Sequence, residues 1–285
     1  MIPDLENKTS DVIELNDKEF KLIRDLVYSK FGINLTEQKK ALIVGRLQKV
    51  LREHGFSSFF EYYEHVTRDR SGEALVTLVN RISTNHTFFY REHDHFEYLT
   101  DTVLPELKKQ MSSKGKMLRV WCAACSSGEE SYMLSMLIHE FFKHEISNWD
   151  IAILATDISE RVLEIAKAGV YSDENISRMP DHLKRSYFKA TGSGKWAVTE
   201  NVRKLVLYRR FNLMRPQFPF KRKFHFVFCR NVMIYFDEPT KKALVKRIYE
   251  FLDPGGYLFI GHSETLGKGD SRLRYIRPAV YRKEA

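Results

Sequence analysis

Carboxylate, amide and phenol side chains follow three short apolar segments of this sequence, and their types suit the binding of a polar ligand. Glu129 lies in AACSSGEE after the segment MLRVWC, Asp157 ends WDIAILATD, and Asn231 follows KFHFVFCR, with Tyr235 in the same loop. An acidic residue after the second strand of a nucleotide-binding sheet typically accepts hydrogen bonds from ribose hydroxyl groups. Each feature is also common in ordinary turns and helix caps, so their coincidence is what indicates a ligand site.

The same residues favour a cationic nucleoside over a dinucleotide. The loop after the first strand is not G-x-G-x-x-G, and Glu129 would repel a phosphate at the start of the following helix. S-adenosylmethionine has a ribose, an amino group and a sulfonium but no phosphate, so it suits these side chains. No metal is expected, because the single C-x-x-C of Cys122 and Cys125 lacks a second pair of ligands. The scattered histidines, His93 and His95 among them, are interpreted as surface residues.

Short apolar segments alternate with helical patterns from residue 117 onward, which predicts a doubly wound, mostly parallel α/β sheet. Ligands bind at the carboxyl ends of the strands in such sheets, so Glu129, Asp157 and Asn231 fall at one edge. Residues 186–211 break the alternation and show period-two patterning around a Gly-Ser-Gly turn. They predict a small antiparallel β insertion whose last strand returns to the main sheet.

The N-terminal part shows helical patterns alone. Asn16 is a candidate cap for a helix that ends at Gly32, and Thr36 begins a second helix whose apolar side includes Leu42 and Leu47. Ser58 and Glu61 have capping-box spacing for a third helix, and a fourth runs to residue 82. We therefore predict a helical domain at 1–82, a linker at 83–98 and an α/β domain at 99–285, with the antiparallel subdomain at about 186–211.

Composition and charge limit the classes of protein to which the chain can belong. The 285 residues carry a formal charge of +9, which implies an anionic partner such as nucleic acid, a membrane surface or an acidic protein face. Three cysteines are too few for a disulfide framework and fit a reducing compartment. The segment MIPDLENKTSDVIELND does not have the pattern of a signal peptide, and no apolar run is long enough to span a membrane. A cytoplasmic protein is expected.

Four strings together resemble the bacterial chemotaxis receptor methyltransferases: STNHTFFYRE, GEE in the first loop, FCRNVMIYF and GHSE. The resemblance covers nearly the whole chain. It implies a helical N-terminal domain, an α/β methyltransferase domain and an antiparallel insertion. It also implies a protein-glutamate O-methyltransferase that uses S-adenosylmethionine to form glutamyl methyl esters on receptor helices, releasing S-adenosylhomocysteine. Such an enzyme would be a cytoplasmic monomer that is recruited to membrane receptor arrays.

The resemblance also implies roles for individual residues. In this family the linker lies across the cofactor, so Arg91 is a candidate to orient either the cofactor's carboxylate or the substrate's, while Tyr235 would sit near the transferred methyl group. Phe88 and Phe89 would shield the site from water, join the two domains, or do both. The residues expected to bind the cofactor are Asn85, Thr87, Arg91, Glu129, Asp157, Asn212, Leu213, Asn231 and Val232.

Two surfaces are candidates for receptor recognition. Arg46, Lys49 and Arg52 recur every three residues on the second helix, and the family's use of this helix favours receptor docking over an ordinary solvated face. Relatives that bind a receptor C-terminal pentapeptide through the antiparallel insertion have a longer turn there than Gly192-Ser193-Gly194. We therefore expect that this chain does not use the pentapeptide as a tether.

Two other functions remain as alternatives. A nucleic-acid methyltransferase would fit the positive charge, but amino-directed enzymes resemble [DNS]-P-P-[YFW] where this chain has RNVM. A non-catalytic receptor-binding module would tolerate the loss of pocket residues, and none is lost here.

Overall fold

The chain forms two compact units, which meet in sequence near residue 84. The computed structural model describes residues 12–83, 87–113, 115–267 and 272–284. The described part of the first unit is helical, with a 3₁₀ turn at Glu37–Lys39 before α2. Its helices are α1 (Asp17–Phe31), α2 (Lys40–His54), α3 (Phe59–Arg68) and α4 (Glu73–Ile82).

The ends of α1 confirm the signals in the sequence. Asn16 Oδ1 accepts a hydrogen bond from Glu19 N at 2.9 Å, and Glu19 Oε2 accepts one from Asn16 N at 3.1 Å, which completes a capping box. Gly32 ends the helix in the left-handed region, with φ of 69°. The second carboxylate oxygen of Glu19 accepts a bond from Phe60 N at 2.9 Å, so the cap also connects α1 to α3.

The second helix departs from the prediction in two respects. Residues after Thr36 form the 3₁₀ turn, so α2 begins at Lys40. Leu42, which we assigned to the apolar side, is 44% exposed. The buried face of α2 is narrower than predicted, and Leu42 lies just outside it. The buried apolar residues are Ile43, Leu47, Val50 and Leu51.

The described residues of the second unit alternate strands with helices. A helical segment precedes the first strand; it consists of α5 (Asp94–Tyr98), a π-helical turn (Leu99–Val103) and α6 (Leu104–Met111). The strands are β1 (Met117–Ala123), β2 (Asp150–Asp157), β3 (Val170–Ser172), β4 (Phe188–Gly192), β5 (Lys195–Val198), β6 (Val206–Arg210), β7 (Phe224–Cys229), β8 (Leu252–Phe259), β9 (Leu273–Arg277) and β10 (Val280–Lys283). The remaining helices are α7 (Glu129–Phe142), α8 (Glu160–Ala168), α9 (Asp173–Ile176), α10 (Asp181–Tyr187), α11 (Glu200–Lys204) and α12 (Glu238–Phe251).

The main sheet has the order β6-β2-β1-β7-β8-β10-β9. The first five strands are parallel, and β10 pairs antiparallel with both β8 and β9. This confirms a doubly wound, mostly parallel fold. Ala123 at the end of β1 is level with Thr156 of β2 and Cys229 of β7, so the loops after these three strands leave the same edge. Within the described ranges, no helix has both the length and the apolar character needed to cross a lipid bilayer.

The antiparallel insertion is present, but it begins earlier than predicted. Its order is β3-β5-β4, and β3 starts at Val170, well before residue 186. A strand of only three residues is too short to show a period-two pattern, which is why the sequence concealed it. The prediction that the last strand of this block returns to the main sheet is confirmed, since β6 pairs in parallel with β2.

Candidate active site

The loop between β1 and α7 is held in an unusual backbone conformation. Ala124, Ser126 and Gly128 have φ values of 56°, 49° and 97°. A left-handed conformation is costly for residues other than glycine, so the surroundings must define this loop closely. A Cβ atom at Gly128 would lie 2.8 Å from both Ala166 Cβ and Tyr208 Oη, which leaves room for glycine alone.

Asp157 connects this loop to the end of β2. Its Oδ2 accepts a hydrogen bond from Ser126 N at 2.9 Å, and its Oδ1 accepts one from Ser159 N at 3.0 Å. Burial raises the pKa of Asp157, and the backbone donors act in the opposite direction. Each carboxylate oxygen has two acceptor sites, so Asp157 keeps capacity for the hydroxyl groups of a ribose while it also stabilises the loop.

Glu129 begins α7 and is 1% exposed. Its two carboxylate oxygens accept hydrogen bonds from Ser127 Oγ at 2.9 and 2.8 Å. The hydroxyl of Tyr171, in β3, donates to the Ser127 carbonyl at 2.6 Å, so the insertion supports the loop. Burial raises the pKa of Glu129. The Glu129 carboxyl group therefore lies at the edge of the sheet where the loop after β1 ends, and an acidic group in this position favours a cationic ligand over a phosphate.

A buried arginine that sequence reasoning missed lies directly after β7. Arg230 is 5% exposed, and its Nη1 donates to Glu130 Oε2 at 2.8 Å. Its Nη2 donates to Glu92 Oε2 at 2.8 Å and to the carbonyl oxygen of Arg91 at 2.6 Å. The available signal was an arginine that directly follows a mostly apolar strand segment, because an arginine in such a position is rarely buried unless it is paired.

Two of the sequence motifs are in direct contact. Asn231, with φ of 58°, donates its backbone N–H to Glu264 Oε2 at 3.0 Å, and Glu264 Oε1 accepts a bond from Ile234 N at 3.1 Å. Burial raises the pKa of Glu264, and its backbone donors oppose that rise. Glu264 belongs to GHSE and Asn231 to RNVMIYF, so the conformation of one motif depends on the other.

Within the second unit, the aromatic residues of the segment before α5 pack against the antiparallel insertion and a neighbouring arginine. Phe89 is fully buried and packs edge-to-face on Tyr171 at 4.9 Å and on Phe188 at 5.4 Å between ring centroids, both in the insertion. The Arg178 guanidinium lies 4.4 Å from the centroid of Phe88. Thr87 is half-buried at the start of this segment, whereas Asn85 lies outside the described residues.

The remaining predicted site residues follow β6 and β7. Phe211 N donates to Asp157 O at 2.8 Å, which brings the chain after β6 beside the end of β2. Asn212 Oδ1 accepts a bond from Met214 N at 2.8 Å, and the carbonyl of the buried Leu213 accepts one from Arg247 Nη2 at 3.0 Å. After β7, two half-buried residues lie at a 3₁₀ turn, Val232 and Tyr235. The structure thus brings the loops after β1, β2, β6 and β7 to one edge.

The interpretation of the histidines as surface residues is wrong for His225 of β7, which is 5% exposed, and for His95, which is 0% exposed. Its ring lies 4.6 Å from that of His262 and 5.7 Å from that of Phe259, between centroids. Burial lowers the pKa of His95 to about 4, and the charge of Arg230 adds to this effect. His95, Leu99 and Val103 are all fully buried at a spacing of four, so helical periodicity was the signal that would have found it.

Glu92, His95 and His262 form a group whose possible ligand atoms lie within 4.8 Å of one another. Glu92 Oε2 already accepts hydrogen bonds from Arg230 Nη2 at 2.8 Å and from His262 N at 3.2 Å. A metal ion at this oxygen would be repelled by the adjacent guanidinium. We therefore interpret the group as a hydrogen-bonded cluster, and independence from metals stays a prediction.

The fold and the polar edge define the class of protein, which is that of the S-adenosylmethionine-binding methyltransferases. The model described as "CheR methyltransferase, SAM binding domain" matches residues 85–281, and the one described as "CheR methyltransferase, all-alpha domain" matches residues 18–83. The chain belongs to the CheR family of chemotaxis protein methyltransferases.

Named relatives cover almost the whole chain. The chemotaxis protein methyltransferase of Borreliella burgdorferi is 42% identical over 98% of each chain. Chemotaxis protein methyltransferase 1 of Pseudomonas aeruginosa is 40% identical over 87% of this chain and 90% of its own. The Escherichia coli chemotaxis protein methyltransferase is 32% identical over 94% of this chain and 92% of its own.

Proposed function

We propose that the protein transfers a methyl group from S-adenosylmethionine to glutamate carboxylates on the cytoplasmic helices of chemotaxis receptors. The observation that carries the cofactor assignment is the arrangement of Glu129, Asp157 and Asn231 at or just beyond the carboxyl ends of β1, β2 and β7, which lie at one edge of the sheet. Acidic and amide groups there suit a sulfonium nucleoside. Membership of the chemotaxis methyltransferase family supports the receptor as substrate.

We assign the binding roles residue by residue. Asp157 accepts bonds from the ribose hydroxyl groups, and Glu129 faces the polar amino-acid end. Asn212 and Leu213 lie on the adenine side. Asn85, Thr87, Arg91, Asn231 and Val232 complete the cofactor site.

The transfer itself requires alignment rather than an added base. A glutamate side chain is ionised at neutral pH, so one of its oxygens can attack the methyl carbon directly. The new C–O bond forms as the C–S bond breaks, and S-adenosylhomocysteine leaves. Arg91 and Tyr235 are proposed to orient the reacting carboxylate, while the aromatic segment that contains Phe89 excludes water. Positioning and desolvation would then supply most of the rate enhancement.

The first prediction tests the type of bond that is formed. Chemoreceptor membranes are incubated with the protein and with S-adenosylmethionine labelled in its methyl group, and the washed membranes are then treated with mild base. Glutamyl methyl esters release methanol in base, whereas N-methyl groups do not. Volatile labelled methanol from the receptor band is expected. Base-stable label, or label transferred to added nucleic acid in preference to receptor, would contradict the proposal.

The second prediction concerns docking through α2. Lys49 and Arg52 are exposed, whereas Arg46 is half-buried and donates a hydrogen bond to the carbonyl of Ile82 at the end of α4. All three remain our proposed receptor-docking residues, but a change at Arg46 would also disturb the bundle. Replacing Lys49 and Arg52 with Glu should raise the receptor KM roughly tenfold at low salt, because clustered receptor carboxylates would be repelled. The affinity for S-adenosylmethionine should stay the same.

A matched control lies on α1 of the same unit. Lys18 and Lys21 are exposed at the same spacing, so replacing both with Glu changes the net charge equally at a different surface. The control should have a near-normal KM, and equal effects of the two pairs would show that only overall charge matters.

We also propose that no receptor tether contributes to recognition, since only Ser193 and Gly194 separate β4 from β5. A receptor C-terminal pentapeptide should therefore not compete in this assay.

A further inference from the structure

The carboxylate of Glu92 lies between two side chains of the proposed cofactor site. Its Oε1 accepts a hydrogen bond from Asn231 Nδ2 at 3.1 Å and is 3.9 Å from Arg91 Nε. Asn231 belongs to the loop after β7, and Arg91 belongs to the segment before α5. A single oxygen atom thus connects two candidate site residues that are distant in sequence.

The other oxygen of Glu92 is anchored independently. Oε2 accepts hydrogen bonds from Arg230 Nη2 at 2.8 Å and from His262 N at 3.2 Å. Arg230 is itself held by Glu130 of α7 at 2.8 Å. The carboxylate therefore cannot shift without breaking contacts to the loops after β7 and β8.

The backbone around Arg91 depends on the same contacts. Tyr90 and Glu92, on either side of it, have φ values of 66° and 56°. Left-handed residues other than glycine persist only where the surroundings determine them. Arg230 supplies this constraint, because its Nη2 donates both to the Arg91 carbonyl at 2.6 Å and to the Glu92 carboxylate. The direction of the Arg91 side chain is thereby coupled to Glu92.

We propose that Glu92 is a positioning residue for methyl transfer, which holds Arg91 and Asn231 in place and is itself fixed by Arg230. The proposal rests on the proposed function, in which Arg91 and Asn231 contact the cofactor. Burial alone would raise the pKa of Glu92, but the charge of Arg230 and bonds from Arg230 and Asn231 lower it to about 2. The carboxylate is therefore ionised at every pH at which the enzyme would be assayed.

The test is a double-mutant cycle between Glu92→Gln and Arg91→Ala, with kcat/KM for receptor methylation and the Kd for S-adenosylmethionine as readouts. Glutamine keeps the size of the side chain but removes its charge. Since a small misplacement of a site group can cost about a hundredfold, Glu92→Gln should lower kcat/KM by roughly that factor. If Glu92 acts through Arg91, the double variant should be at least about tenfold more active than the product of the single effects predicts.

Two further variants separate positioning from stability. Glu106→Gln in α6 removes a carboxylate that also pairs with an arginine, Arg282 at 3.0 Å, and with Tyr257 Oη at 2.7 Å. It should leave methylation unchanged and combine multiplicatively with Arg91→Ala. Glu92→Asp keeps the negative charge beside Arg230, so its kcat/KM should lie between those of the original protein and of Glu92→Gln. If thermal unfolding shows that Glu92→Gln does not fold, Glu92→Asp replaces it in the cycle.

The outcomes distinguish this inference from the proposed function. If the effects of folded Glu92 and Arg91 variants on kcat/KM were multiplicative, the inference that Glu92 positions Arg91 would be overturned. The proposed function would not be affected by that result. If Arg91→Ala and Asn231→Ala both left cofactor binding and methyl transfer intact, the assignment of the site would fail together with the inference.

Discussion

Replacing Asp157 with alanine is expected to weaken S-adenosylmethionine binding about 10- to 100-fold. A hydrogen bond to a charged acceptor contributes about 1.5–3 kcal/mol, and under the proposed assignment the substitution would remove at least one such bond to the ribose. It also removes the acceptors for Ser126 N and Ser159 N, which lie at 2.9 and 3.0 Å. Isothermal titration calorimetry on the folded variant measures the change.

The opposite end of the same strand offers a control for this prediction. Asp150 begins β2, is exposed and pairs with Arg119. Asp150→Ala should leave cofactor affinity within about twofold of the original, because Asp150 lies at the end of β2 opposite to Asp157. If Asp157→Ala bound the cofactor with the original affinity, Asp157 would be a purely structural residue and another group would have to hold the ribose.

Replacing Gly128 with alanine is expected to lower the free energy of unfolding by about 2–4 kcal/mol and to abolish measurable cofactor binding. Part of the loss comes from the left-handed backbone, with φ of 97°. The rest comes from steric overlap, since the new methyl group would lie 2.8 Å from Ala166 Cβ and from Tyr208 Oη. Tyr208 cannot easily withdraw, because its hydroxyl is hydrogen-bonded to Ser131 Oγ at 2.9 Å.

Gly115 separates the two contributions. It has nearly the same φ, 94°, but nothing lies within 4 Å of a Cβ built there. Gly115→Ala should therefore cost only the backbone penalty, about 1 kcal/mol, and should leave cofactor binding intact. Denaturant unfolding of both variants gives the difference, and an equal loss at the two glycines would show that the close packing around Gly128 is not what constrains the loop.

Local signals account for the elements that were predicted well. The cap at Asn16, the end of α1 at Gly32 and the strand segments of the α/β domain depend on residues close together in the chain. The same local reasoning failed where several elements share one buried face. Leu42 was predicted on the apolar side of α2 but is exposed beside its buried face. His95 was predicted at the surface but lies on a buried face of the helical segment before β1.

The sequence by itself determined the class of fold, the identity of its strand-end residues and the family, because periodicity, capping and motif strings are written in consecutive positions. Only the tertiary structure decided which of these residues touch. Arg230 and Glu92 are separated by 138 positions, and their ion pair forms only because the fold brings the end of β7 together with α7 and the loop after β8, which supply Glu130 and His262 N as further partners. Removal from water makes such a pair both strong and costly to break, and desolvation is a property of the packed assembly rather than of any short segment.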